Sequence, residues 1–288
     1  MIILSWNIQN GKGTDDVISL ERIAGVIKDM CDPDVICLQE VTRHLQLNAD
    51  GFAPDQAKDL SELFPDYTLT FGPAVEANVY GSQTRWQFGN VTLSRLPILS
   101  VFHHPLPQPA ESGIRHMPRQ ATEVTVADVS RPQRIVNTHF EFHSAQQRTM
   151  QVERLRDLQR EVIANAESPP NRDAAGPYQM VARPENCILC GDFNMETNFP
   201  EYGKMLAPAP DGTVLFQDAW TLANGDQAHD PTCGINDHIQ WPAGAHCRDF
   251  FFVTPDIATT VEEVRVNTQT NASDHQPLML RLAEATAS

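Results

Sequence analysis

The chain opens on an apolar run, residues 2–6, that reads as a short buried strand. After Gly-Lys-Gly at 11–13, apolar positions recur at helical spacing from about Thr14 to Met30: Val17, Leu20, Ile23 or Ala24, Ile27 and Met30. Thr14 or Asp15 is the expected cap. Pro33 breaks that run, and Asp34-Val-Ile-Cys-Leu38 reads again as a buried strand, so the opening predicts a β–α–β unit. A shorter helix is expected at 55–64, then strands at about 67–72, 88–94, 98–103, 120–128 and 133–139 between Pro, Gly and Ser clusters. The longest helix is expected from Ser144 to about Ala166, with Val152, Leu155, Leu158 or Gln159, Val162 and Ile163 on its buried side. Its arginines, 148, 154, 156 and 160, alternate with Glu153, Asp157 and Glu161, which marks a solvated face and not a nucleic-acid reader. Residues 167–186 read as a surface loop within one domain spanning 1–288. Strands return at 187–191, 249–253, 261–266 and 277–282 around an irregular stretch, 223–247. Many short strands with short links fit two packed sheets flanked by helices better than one parallel sheet.

Charge narrows the partners. The chain has 288 residues with 37 Asp+Glu against 21 Lys+Arg, a net charge of −16. That balance disfavours nonspecific binding to nucleic acid, which needs a basic stripe, but leaves room for a small phosphorylated substrate held by a metal and a few arginines. No apolar run approaches the roughly 18 residues that a transmembrane helix needs. The amino terminus, MIILSWNIQN, lacks the layout of a secretory signal, so the expected address is cytoplasmic. No protein partner is indicated. Among the six cysteines, Cys31, Cys37, Cys187 and Cys190 lie in or beside apolar runs, as small packed hydrophobes do. Cys187 and Cys190 fall three apart on an expected strand, where side chains face opposite ways, so they are not expected to form a redox or zinc pair. Cys233 and Cys247, flanked by His229, His238 and His246, leave open a disulfide, a zinc site or two plain loop thiols.

Short polar groups end or interrupt several of the strand-like runs. They are Asn7 after ILSW, Glu40 after VICLQ, His139 after IVNT, Asp192 and Asn194 in GDFN, Asp249 ahead of FFFV, and Asp274-His275 before QPLML. Singly, each has a structural explanation as a cap, turn or exposed strand end. Together with their flanks, SWNIQ (5–9), ICLQE (36–40), GNVTLSRLPI (89–98), NTHFE (137–141), GDFN (191–194), RDFFFV (248–253) and SDHQPL (273–278), they resemble the endonuclease/exonuclease/phosphatase family, in the family's order.

That resemblance implies an α/β fold, a four-layer α/β/β/α sandwich of two mainly antiparallel sheets packed face to face with helices outside. It implies a phosphoesterase using Mg²⁺, with Mn²⁺ as an alternative, since carboxylates and amides suit hard cations. Glu40 matches the principal metal carboxylate, and Asn7 and Asp274 match neighbouring metal positions. Asp192 corresponds to the residue that orients or deprotonates the attacking water, Asn194 to a donor to phosphoryl oxygens, and His275 to a base or a charged phosphate ligand with Asp249 fixing its tautomer. His139 corresponds to a leaving-group acid or phosphate ligand, and Arg119 to an arginine before a strand. Two departures stand out: Gln9 replaces an acid that some members carry, and Cys247 holds the place of an arginine two residues before Asp249.

Three readings of the substrate follow. The first is a small or lipid-derived phosphoester, selected by the segments 72–87, 103–119 and 223–247 with Tyr80, Arg85, Trp86, His103, His104, Arg115, His116 and Trp241. The second is a nuclease, set against only four lysines and no basic stripe. The third is a non-catalytic module on the same scaffold, set against an intact series of site residues.

Overall fold

In a computed structural model describing residues 1–47, 53–78, 81, 83–171, 173 and 175–283, twelve strands form two six-stranded sheets. The first runs β11 (Val261–Val266), β12 (Leu278–Leu282), β1 (Ile2–Asn7), β2 (Val35–Arg43), β4 (Arg85–Ser94), β3 (Thr68–Asn78). The second runs β5 (Ile98–Pro105), β6 (Gln120–Ala127), β7 (Pro132–His139), β8 (Cys187–Asp192), β10 (Asp249–Val253), β9 (Gln217–Asp218). Pairing is antiparallel except for β1 with β2 and β7 with β8, one parallel pair in each sheet.

Side-chain alternation divides these strands between a central core shared by the two sheets and an outer core on each sheet. In β8, Ile188 and Cys190 face the other sheet, while Cys187 and Leu189 face outward. In β10, Phe251 and Val253 point inward and Phe250 and Phe252 outward. The outer face of the first sheet is covered by α1 (Leu20–Met30) and α2 (Gln56–Leu63), through Ile23, Ile27 and Leu60 on Leu4, Trp6 and Ile36. The outer face of the second takes α3 (Ala145–Glu167) and α4 (Pro200–Leu206), through Val152, Leu155 and Met205. The result is the expected α/β/β/α sandwich. Sheets covered on both faces explain why the strands read as unbroken apolar runs.

Several boundaries differ from the sequence reading. The first helix starts at Leu20, capped by the Ser19 side chain accepting from Arg22 N–H, and Val17 is left exposed. Residues 12–18 form instead a turn closed by a Lys12–Ile18 bridge and by Thr14 N–H bonding Asn271. β3 and β4 extend toward each other, so most of 72–87 is a hairpin. β5 likewise runs on to Pro105 and takes His103 and His104 into the sheet. Three short helices went unanticipated: α4, α5 (Ala219–Asn224) and α6 (Pro255–Ala258), of which α4 and α6 begin on a proline. Among the described residues no helix is long and apolar enough to cross a membrane. All six cysteines are free, and Cys187 and Cys190 pack into different cores, as strand geometry required.

Candidate active site

The two parallel pairs give the fold a functional end. Because β1 runs with β2 and β7 with β8, all four strands finish on the same side of their sheets. Asn7, His139 and Asp192 are the last residues of β1, β7 and β8, and Asp249 opens β10 directly opposite Asp192. Glu40 sits at a bulge in β2, between the Leu38 and Val41 pairings, with φ at 57°. A glutamate held in the left-handed region is strained, and such strain persists where surrounding structure enforces it. Gly191 is required by the same geometry: its φ is 140°, and a Cβ there would lie 1.9 Å from the Thr138 carbonyl oxygen. Trp6 Nε1 donates to the His275 carbonyl at 2.9 Å and Ser273 Oγ to the Asn7 carbonyl at 2.8 Å, tying the late Ser-Asp-His segment to β1.

These placements bring the expected residues together. Asn7 Nδ2 donates to Glu40 Oε1 at 3.1 Å and to Asp192 Oδ2 at 3.0 Å. Asp192 Oδ2 lies 3.4 Å from His139 Nε2 and 3.7 Å from His275 Nε2, while Oδ1 accepts from Asn194 N–H at 2.8 Å. His275 Nδ1 meets Asp249 Oδ2 at 2.8 Å. Asn194 Nδ2 donates to the Phe140 carbonyl at 3.0 Å and lies 3.1 Å from His139 Nε2. The carbonyl can only accept, so this nitrogen is the amide NH₂, His139 Nε2 accepts, and the neutral ring carries its proton on Nδ1.

Burial and neighbouring charge set the protonation states. Burial pushes Glu40 up to about 7, with Asp274 adding to it and Asn7 pulling the other way. Asp274 is also raised, first by burial. Burial opposes charge on His275, yet Asp249, Asp192 and Asp274 together hold it well above the usual imidazole range. His139 is driven down to about 3 by burial and by Arg119. Asp192 is lowered: burial resists, but both imidazoles, Asn7 and the Asn194 N–H outweigh it.

Two neighbouring acids, one buried and one half-buried, whose pKa values are both raised are what an oxygen-ligand site for a divalent cation looks like before the cation supplies its charge. The carboxylates of Glu40 and Asp274 fit Mg²⁺ or Mn²⁺ on donor chemistry; Asn7 would ligate through Oδ1, which here accepts from Gln9 N–H at 3.1 Å while Nδ2 faces Glu40 and Asp192. Asp192, Asp249 and His275 also offer ligand atoms within 4.8 Å of one another, although His275 Nδ1 is already engaged by Asp249.

All these residues except Asp249 line one cavity of about 520 Å³, within the range of small-ligand sites. Arg119 reaches it from just before β6: its Nε is 3.4 Å from Glu141 Oε2, and its buried Nη1 has no protein partner. The outer wall carries Arg115, His116 and Trp241, anticipated from the sequence, together with Phe142, His143 and Gln240, which were not. The NTHFE motif stops one residue short of Phe142. Arg248 stacks on Trp241 and Phe142 at 4.8 and 5.5 Å, bracing the wall from behind.

Other expected mouth residues lie elsewhere. Arg85 pairs with Glu76 in the β3–β4 hairpin, His104 with buried Glu123, and Trp86 and His103 do not line the cavity. Tyr80 lies outside the described residues. Cys233 contacts His246 Nε2 at 3.2 Å, while Cys247 Sγ turns to the Asp249 carbonyl at 3.3 Å. Among the described residues the two cysteines share no metal-ligating group, and His229 bonds Asp218 at 2.7 Å instead.

A two-sheet α/β sandwich with this acid–imidazole cluster at its strand ends defines a class, and the chain belongs to it: the endonuclease/exonuclease/phosphatase family, whose sequence model matches residues 4–275. Members of this family are hydrolases acting on phosphoester bonds. Solved structures share the fold. An endonuclease/exonuclease/phosphatase from Beutenbergia cavernae is 23% identical with a TM-score of 0.67, covering 99% of this chain and 72% of its own. A mannosyl-6-phosphatase from Bacteroides thetaiotaomicron is 17% identical with a TM-score of 0.65, covering 99% and 100%. A 3′ phosphatase from Neisseria bound to a product DNA hairpin is 18% identical with a TM-score of 0.60, covering 99% and 100%. No match was found among curated proteins.

Proposed function

We propose that residues 1–288 form one catalytic domain that hydrolyses a phosphate ester of a small or lipid-derived molecule by in-line attack of water, using Mg²⁺ or Mn²⁺. The observation that carries the reading is the convergence on one cavity of Asn7, Glu40, Asp192, Asp274 and His275, from chain segments as far apart as residues 7 and 275. In this reading Asn7, Glu40 and Asp274 hold the cation, which when bound supplies positive charge to the phosphoryl oxygens. Asp192, kept ionised, orients the attacking water through the part of Oδ2 that Asn7 leaves free. His275, held as an imidazolium by Asp249, faces the charge that builds on the phosphoryl group. Arg119 Nη1 donates to a phosphoryl oxygen. Asn194 sets the His139 ring and donates to phosphate once substrate displaces that bond. His139, neutral with Nε2 as acceptor, positions the phosphate side of the site and does not serve as leaving-group acid.

The acidic balance and bounded cavity favour a small substrate. The same fold occurs in proteins described as a sugar phosphatase and as a 3′ phosphatase bound to DNA, so the test spans both. Phosphoester hydrolysis is to be followed, with Mg²⁺ or Mn²⁺, on nitrophenyl phosphodiesters, hexose phosphates, inositol phosphates, sphingomyelin, nucleotides and nucleic acids. Asp192→Asn and His275→Ala are each expected to lower turnover by about 10³-fold or more on the preferred ester. A loss below about tenfold contradicts the assigned roles. Preferred cleavage of DNA or RNA, with affinity falling steeply as salt rises, replaces the small-substrate reading with the nuclease one.

A further inference from the structure

Arg115 stands apart from the other arginines. Among the described residues it is the one arginine that takes part in no hydrogen bond or ion pair; fourteen others pair with carboxylates, and Arg156 is bonded to main-chain carbonyls. In a chain of net charge −16, an unpaired guanidinium has many carboxylates to choose from. This one lines the wall of the catalytic cavity instead.

Its neighbour presents the same chemistry. Gln108 Nε2, which can only donate, lies 2.7 Å from His116 Nδ1, so that ring nitrogen accepts and Nε2–H is left as a free donor. Deeper in the cavity the buried Arg119 Nη1 also lacks a partner. The loop bearing Arg115 and His116 is fixed rather than free. Leu106 N–H bonds the Arg119 carbonyl at 2.9 Å across its base. Gln147 and Gln151 of α3 donate to the Pro109 and Pro107 carbonyls, both at 3.2 Å, and Ser144 at the helix cap bonds Glu111. The backbone that carries the pair is thus placed before any ligand arrives, and His116 with it through Gln108, while the Arg115 side chain is ordered on binding.

We propose that Arg115 and His116 form a second anion subsite, and that the natural substrate is a small phosphoester carrying a second phosphate beside the one that is cleaved. This rests on the phosphoesterase reading above and adds the substrate class. Arg119 and the metal-side residues take the scissile phosphate; Arg115, in a bidentate grip, and His116 take the other. Arg115 is a specificity residue, not a catalytic one.

A matched pair of probes separates the two claims. Glucose 6-phosphate and glucose 1,6-bisphosphate differ by one phosphate. Arg115→Ala is expected to raise KM for the bisphosphate by about tenfold or more with kcat within about twofold, to leave both constants for the monophosphate within about twofold, and to be partly rescued by Arg115→Lys. An equal effect on both probes, or none on either, overturns the subsite. Titration calorimetry of the intact protein with glucose 1,6-bisphosphate in EDTA reads the subsite without turnover. Weaker binding in Arg115→Ala than in the wild type supports it even if neither probe is hydrolysed, an outcome that would count against the phosphoesterase reading alone. Equal binding overturns it.

Discussion

Each polar residue of the site has its state set by what surrounds it, and those surroundings are only partly visible in sequence. Asn7, Glu40, Asp192 and His275 announce themselves because each interrupts or ends an apolar run. The strain at Glu40, the tautomer of His139 and the unpaired state of Arg115 do not, because they depend on contacts between distant segments. Glu123 shows how large such hidden effects can be. It lies buried in β6, where burial alone would raise its pKa; hydrogen bonds from His104 and Arg183 and the charge of Arg134 overcome that and bring it from 4.5 to about 2. A carboxylate with a depressed folded-state pKa contributes stability above its unfolded pKa and loses it as pH falls through the folded value. The expected contribution is about 3 kcal/mol at neutral pH, fading between about pH 4.5 and pH 2. Urea unfolding of wild type and Glu123→Gln at pH 7 and pH 3 checks this: the stability gap should narrow in acid, and a gap that stays constant rules out the charge as its origin.

Among the elements, hydrophobic period alone located most strands and the long α3, since each buries a continuous stripe. Where the reading failed, a competing local interaction won. Val17 continued the helical period of α1, but the turn across 12–18 leaves it 53% exposed and moves the cap to Ser19. Ser19→Ala is therefore expected to cost about 1 kcal/mol in a denaturant titration, and Thr14→Ala close to nothing. The reverse order would restore the longer helix. The short helices α4 to α6 hold too few turns for a period to register. The β3–β4 hairpin was hidden because nothing in 72–87 says that its strands lengthen past their apolar cores.

At the scale of the whole molecule, the parallel pairing in each sheet gathers strand ends that the sequence scatters from Asn7 to Asp192. The layered architecture was legible from the number and spacing of strands and from the resemblance of the ordered motifs. Which loops reach the cavity was legible in part: of the three segments expected at the mouth, 103–119 and 223–247 supply Arg115, His116 and Trp241, while no described residue of 72–87 lines it, because loop placement follows from sheet order rather than local pattern. The acidic surface and the donor-rich cleft also belong to this scale. A molecule repelling anions overall can still focus one at a single mouth.

The central claim is that Asn7, Glu40 and Asp274 hold a divalent cation on which phosphoester hydrolysis depends. The most direct measurement is turnover of the preferred ester by the full chain after EDTA treatment, then with Mg²⁺ or Mn²⁺ restored, for wild type and Glu40→Ala alongside. The account predicts that EDTA abolishes turnover, that either cation restores it in wild type, and that Glu40→Ala stays below about one per cent at matched metal. Undiminished turnover in EDTA, or a fully active Glu40→Ala protein, would contradict it.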